Sequence, residues 1–422
     1  MPGHKRNPRF SISGAEIDIT EIEGYDDLHN AKGVILETEN SFSKLYGSRR
    51  SFLLVNGTTV GILASVFALT ADGDKIIMAR NCHKSVYNAC LLRKLKIVFA
   101  EPEFDAENGF YTRLSQKEID RLISENRDAK AVIITSPTYE GYVSEIQCDL
   151  PLLVDAAHGA HFPFGKFPKY PTGDIVISSL HKTLPALTQT AIANVYNEQL
   201  SDKLSFYLDI FETSSPSYVL MNSASICASY LEHSRDDFEN YTDALKHFYL
   251  NTNLHHLKLI DTDDPGKIIV SAAKTDIDGT ALANMLRNKY NMEPEAAGLR
   301  HIILMTSVAD NLKIYGKLKD ALEKIDHKLK SKNAPALPCP AAKQGVYSFC
   351  FEGETEKTEI DKSSGRICAE FIYTYPPGIP IITPNEIITE SILGTLRRLQ
   401  KHGINTINTS KLLPQYILTK RQ

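Results

Sequence analysis

Tryptophan is missing from the 422 residues, and that absence decides nothing. Other absences exclude more. No apolar run is long enough to span a bilayer. The first residues, MPGHKRNPRF, put Pro, Gly and charge where a secretory signal needs an apolar segment. Positive charge is not in excess: 47 Lys and Arg stand against 51 Asp and Glu, a formal net charge of −4. No basic face for nucleic acid is therefore expected. Seven cysteines are scattered from Cys82 to Cys368 without a CxxC pair. That is the pattern of reduced thiols in a cytoplasm. No GxGxxG follows a first strand, so no dinucleotide site is indicated. Internal repeats and low-complexity tracts are absent too.

What is present is alternation. After a polar, turn-rich arm over residues 1–30 and a helix over about 31–46, an apolar run reaches Asn56-Gly57. A helical stretch is expected after Thr58-Thr59. Strands then read at Lys75–Met78, Leu95–Ala100, Ala131–Thr135, Leu152–Asp155, Ile175–Ser178 and Ala191–Tyr196. Helices read at Lys84–Arg93 and Gln116–Glu125 between them. Short apolar strands separated by helices imply an α/β domain with a mostly parallel, doubly covered sheet. The expected division is an arm (1–30), a large domain (31–255), a small α+β domain (256–332) and a C-terminal domain (333–422). A Pro- and Ala-rich linker reads from Lys332 to Ala342. Helix-like runs follow at Thr358–Phe371 and from about Asn385 to Lys401.

The chain is organised around residues 173–190, GDIVISSLHKTLPALTQT. A strand ends here in Ser-Leu-His-Lys, and Pro185 breaks the chain soon after. We read Lys182 as an amine that forms a Schiff base with pyridoxal 5′-phosphate (PLP). Such a lysine must lose its proton near neutral pH, which a dry pocket beside other cations favours. Ligands gather at the carboxyl ends of strands in open α/β sheets. The plain alternative is a solvated lysine in a loop.

Three further elements fit the same cofactor. Gly57, Thr58 and Thr59 lie at a turn-to-helix boundary, where free N–H groups and the helix dipole favour a phosphate; simple capping by threonine is the alternative. Asp155 ends the run PLLVD on the same sheet edge, where a carboxylate can keep the pyridine nitrogen protonated. His83 begins the helix after another strand and can cover one ring face. Asp155, His158 and His161 also form a DxxHxxH spacing that could ligate a metal. Gly159 and Pro163 argue for an irregular path there, and no metal is expected.

Seven segments in order then carry a family resemblance. They are PGHK (2–5), DITEIEGYDDLHNAKG (18–33), VNGTT (55–59), RNCHKSV (80–86), VDAAHGAHF (154–162), SSLHKT (178–183) and YPPGIP (375–380). With these the chain resembles the ornithine/lysine/arginine decarboxylases, PLP enzymes of fold type I with an aspartate-aminotransferase-like large domain. The resemblance implies Lys182 as the Schiff-base lysine, Asp155 at the pyridine nitrogen and His83 stacked on the ring. It implies Thr58, Thr59, Ser179 and His181 around the phosphate, and His158 near the phenolic oxygen or the substrate. Arg366 and Glu370 are implied as substrate contacts. It further implies a homodimer with shared active sites, into which Ser214–Ser217 and the arm would reach. Two departures stand out. The large members carry an N-terminal wing, which this chain lacks, so wing-mediated decamers are not expected. Where the family commonly has Pro-Gly-Glu after YPPGIP, this chain has Pro384-Asn385-Glu386.

The expected function is α-decarboxylation of a basic amino acid (lysine, ornithine or arginine) by a cytoplasmic enzyme. A PLP-dependent aminotransferase or lyase of the same fold is the first alternative. A PLP-binding protein without turnover is another. A metal-dependent hydrolase using Asp155, His158 and His161 belongs to a different class.

Overall fold

A computed structural model describes residues 2–10, 12–340, 345–349, 351 and 353–421. An eight-stranded sheet forms its centre. From one edge the strands are Arg50–Leu54, Ala191–Val195, Ile175–Ser179, Leu152–Asp155, Ala129–Thr135, Lys75–Ala79, Lys96–Ala100 and Val346–Ser348. The five from Ile175–Ser179 to Lys96–Ala100 run parallel. Ala191–Val195 and Val346–Ser348 are antiparallel to the strands they pair with. Ile175–Ser179 and Leu152–Asp155 are buried at every residue, which is why they read as continuous apolar runs rather than as alternation. Helix Gly57–Leu69 packs against this sheet and against helices Lys84–Leu92 and Ser201–Phe211.

A second sheet is antiparallel throughout, in the order Lys258–Ile260, Lys267–Ser271, His301–Met305, Ala296–Ala297. Helices Gly279–Tyr290 and Lys313–Asp326 join its apolar face. Towards the C-terminus, Thr355–Glu359 pairs with Tyr416–Lys420, and Ile372–Thr374 lies between Pro380–Ile382 and Thr406–Asn408. Helix Glu390–Lys401 completes a small core there with Ile372, Ile382, Leu393 and Ile417. Among the described residues no helix is long and apolar enough to cross a membrane.

The C-terminal part corrects two expectations. Thr358–Phe371 is not a helix: Thr355–Glu359 is a strand, followed by one 3-10 turn, Ile360–Lys362. TEKTE alternates, and only Thr358 of its five residues is buried, on the side that faces Thr419 at 2.7 Å. Gly365, at φ 78°, then turns the chain. The last helix starts at Glu390, not Asn385, with Thr389 accepting from the Ile392 N–H. Asn385 has φ 72°, outside helical space. Asparagine is, after glycine, the residue that best tolerates a left-handed backbone. Residues 332–340 carry no regular structure, and the last two residues of the expected linker, 341 and 342, lie outside the described residues.

One buried ion pair ties the C-terminal part to the large sheet. Arg80, 1% exposed, donates from Nη2 to Glu386 at 3.0 Å and to the Ile381 carbonyl at 3.1 Å. Its guanidinium lies over the Phe99 ring at 4.6 Å. Removing one partner of a buried pair leaves the other charge without compensation. Arg80→Ala is expected to cost about 3–5 kcal/mol, read by chemical denaturation. A loss below about 1 kcal/mol, the scale of an exposed pair, would show the tie to be unimportant.

Candidate active site

The carboxyl ends of the parallel strands open into one cleft. Gly57, Thr58, Thr59, Asn81, His83, Tyr139, Asp155, His158, Ser179, His181, Lys182 and Glu295 line it, with Tyr375 and Pro376 at one wall. Ladder register brings them together. Asp155 pairs with Thr135 on one side and with Ile177 on the other. Ser179, two residues on from Ile177, ends its strand, and the short helix Leu180–Thr183 then carries Lys182 inward.

The helix N-terminus at Gly57 is left open for a ligand. Asn56 makes no side-chain cap, so the first N–H groups of the helix lack the usual partner. Gly57 sits at φ 70° and donates to the Gln189 carbonyl at 2.8 Å. Glu212 steadies the approach, accepting from the N–H groups of Val55 at 2.6 Å and Asn56 at 3.2 Å. Ser179 Oγ and Asn81 Oδ1 are buried and bond nothing among the described residues. Buried polar atoms without partners are uncommon in folded proteins. Two of them beside an uncapped helix fit a ligand with several acceptors and a donor, as a phosphorylated pyridine has.

Lys182 Nζ lies 3.0 Å from His158 Nε2. Burial draws the lysine's pKa down, against the opposing pull of Asp155 and Glu295. Asp155, 3% exposed, accepts from the Ala157 N–H at 3.1 Å. Burial raises its pKa while Lys182 opposes the rise. His83 accepts from the Ser85 N–H at 3.2 Å and so caps its own helix. Burial, with Lys182 and Lys84 adding to it, pulls its ring down to about 4. His158 is pushed well below the usual imidazole range by burial first and then by Lys182 and Lys267. His181 donates from Nδ1 to the Thr190 carbonyl at 3.0 Å, and burial lowers its pKa. Burial thus works against the charged form of all three imidazoles and of the amine.

Other expected residues lie elsewhere. Arg366 pairs with Glu356 and donates to Thr358 at 3.2 Å. Glu370, 1% exposed, accepts from Asn408 at 3.0 Å and from the N–H groups of Ser410 at 3.0 Å and Leu418 at 2.7 Å. Both hold the C-terminal part together and neither lines the cleft. His161 turns away from Asp155 to face Asp264 at 3.2 Å. Among the described residues no three His, Cys, Asp or Glu side chains gather as metal ligands would, so the DxxHxxH spacing does not converge. The sequence reading missed Glu295 and Tyr139, whose hydroxyl donates to Glu295 at 3.0 Å, and it missed Lys267. A lysine opening the otherwise apolar run KIIVS was the available signal for the last.

A family model described as "Orn/Lys/Arg decarboxylase, major domain" matches residues 13–295. The C-terminal domain model of the same family matches residues 328–405. The chain belongs to the Orn/Lys/Arg decarboxylase family. As a member it is an enzyme, an amino-acid decarboxylase. A relative named arginine decarboxylase, from Bacillus anthracis, is 30% identical over 99% of this chain and 94% of its own length. Two solved structures show the decarboxylase fold to be the aspartate-aminotransferase-like α/β fold of PLP fold type I. The constitutive lysine decarboxylase of Escherichia coli superposes with a TM-score of 0.78 at 16% identity, over 100% of this chain and 79% of that one. Ureidoglycine-glyoxylate aminotransferase from Bacillus subtilis gives 0.53 at 16% identity, over 69% and 84%.

The depressed ring of His83 has a consequence for stability. An unfolded histidine titrates near 6.5, and His83 in the fold near 4. Between those values the unfolded chain binds the extra proton. The contribution is therefore intact above about 6.5 and is lost as pH falls towards 4. In His83→Gln the denaturation midpoint should fall less steeply over that window than in the parent. Equal slopes would mean that the ring is not held neutral.

Proposed function

We propose that the protein is a PLP-dependent α-decarboxylase of a basic amino acid, releasing the amine and CO2. The observation that carries the reading is that Lys182 and Asp155 line one cleft, together with the uncapped helix start at Gly57. In this reading Lys182 Nζ binds the cofactor's aldehyde and Asp155 holds its pyridine nitrogen. The N–H groups and hydroxyls of Thr58 and Thr59, with Ser179 and His181, hold the phosphate. His83 covers one face of the ring, and His158 stands near the phenolic oxygen or the substrate. Bound there, PLP supplies a carbonyl for the substrate's amine and a ring that takes up the electron pair left when CO2 departs.

The chain's own residues prepare that chemistry. Burial lowers the pKa of Lys182, so a larger fraction of it is a nucleophilic amine near neutral pH. In this reading the same Nζ, or a nearby histidine, gives the α-carbon the proton that takes the place of CO2. Neutral His83 offers a flat face without adding a positive charge beside Lys182. Glu295, held by Tyr139, is the carboxylate in the cleft that can meet the distal cation of a basic substrate. Exposed apolar side chains on the arm, Phe10 and Tyr25, and on helix Ser201–Phe211, Phe206 and Ile210, support a homodimer. Six described cysteines are free thiols, in keeping with a cytoplasmic enzyme.

CO2 release should be assayed from arginine, lysine and ornithine side by side. Arginine is tried first because the Bacillus anthracis relative bears that name. Turnover of one of them, a visible absorption band, and the loss of both in Lys182→Ala are expected. No CO2 from any of the three, or a keto acid as product, would sink the reading.

A further inference from the structure

The turn YPPGIP (375–380) reaches the cleft from the C-terminal part, and Tyr375, Pro376, Pro377 and Ile379 line the wall. Gly378, the residue of the turn without a side chain, faces the ring of His83. We propose that Gly378 is a positioning residue, which acts through His83 to set the tilt of the imidazole against the cofactor ring. The proposal rests on the reading of His83 as the side chain that covers that ring.

One side of the imidazole is already held. His83 Nδ1 accepts from the Ser85 N–H at 3.2 Å and lies 2.9 Å from the Ser85 hydroxyl. The Cδ2–Nε2 edge is opposite Nδ1, and this is the edge that faces Gly378. A Cβ on Gly378 would lie 3.2 Å from both Cδ2 and Nε2, and its next neighbour would be Lys84 Cδ at 3.7 Å. Carbon atoms in contact sit about 3.5–4.0 Å apart. A methyl group there would therefore push the ring edge aside by a few tenths of an ångström. With Nδ1 held by Ser85, that edge gives way by swinging, and the plane of the ring tilts.

The turn is held in place as well. The Gly378 carbonyl accepts from the Lys84 N–H at 3.0 Å. That N–H opens the helix Lys84–Leu92, so no helical carbonyl can serve it. The Gly378 N–H donates to the Thr374 carbonyl at 2.8 Å. Lys84 Nζ stands over the Tyr375 ring at 5.0 Å and the Tyr373 ring at 5.7 Å. The turn thus clasps His83 and Lys84 through backbone and side chain together. Gly378 has φ 90°, a conformation that glycine takes freely and residues with a Cβ rarely adopt. The backbone and the space beside the ring call for the same residue.

The test separates the ring from the backbone. PLP is titrated into the full-length protein freed of bound carbonyl compounds, and its dissociation constant is read from absorbance. Gly378→Ala should bind PLP about three- to tenfold more weakly, the scale of one aromatic contact. Gly378→Asn tolerates a left-handed backbone and brings the same Cβ; it should do likewise, and it serves if the alanine variant does not fold. Gly365→Ala carries the strain alone, since φ is 78° and nothing lies within 4 Å of its Cβ. It should lose stability in chemical denaturation and keep the wild-type affinity. In a His83→Ala background, Gly378→Ala should have no further effect on affinity. Wild-type affinity in a folded Gly378 variant overturns the proposal. A loss that persists in full without the imidazole, or that Gly365→Ala shares, overturns it too. Each of these results leaves the reading of His83 standing; wild-type affinity in His83→Ala alone would overturn that reading, and a wild type that takes up no PLP would overturn the cofactor.

Discussion

The cleft depends on the hydrogen-bonded register of three parallel strands. Leu152–Asp155 is paired on both sides, so Asp155 cannot slide without breaking two ladders. A slip of one residue would turn its carboxylate to the other face of the sheet. Ser179 and Lys182 inherit their positions from the same ladder through Ile177, and Gly57 is tied to it through the Gln189 carbonyl. The residues that line the cleft stand on loops and strand ends, while the precision comes from the buried sheet behind them.

Charge is the second constraint. Lys182, His83, His158 and His181 line the cleft, and Lys267 lies behind His158. Water is too scarce there to stabilise so many cations. The histidines give way first, because burial costs an imidazole its proton at ordinary pH. Asp155 and Glu295 favour the charged form of Lys182, and Asp264 that of Lys267.

Much of this was legible in the sequence because the large sheet is local in character. Ile175–Ser179 and Leu152–Asp155 are short, each opens with three apolar residues and ends in polar ones, so their ends could be located to within a residue. Asp155 and Lys182 follow from those ends. What was not legible depends on long-range packing. Lys267 comes from the smaller sheet and Glu295 from the bend just before its strand Ala296–Ala297, and nothing in KIIVS or PEAAG says which cleft they approach. Arg366 and Glu370 show the reverse error: charged residues close to a motif in sequence, yet spent on the C-terminal sheets. Thr358–Phe371 failed because its apolar residues are spaced as a helix would space them, while Gly365 interrupts the backbone.

The strand Val346–Ser348, at the margin of the large sheet, comes from the far end of the chain. It covers the backbone of Lys96–Ala100, which would otherwise offer a row of unpaired peptide groups to any passing chain. The C-terminal part therefore serves as a cover for the large domain as well as a wall for the cleft. During synthesis the ribosome must deliver nearly 350 residues before that margin can be closed. Until then the growing sheet has an open, sticky side, and this is the interval in which a chaperone would matter most.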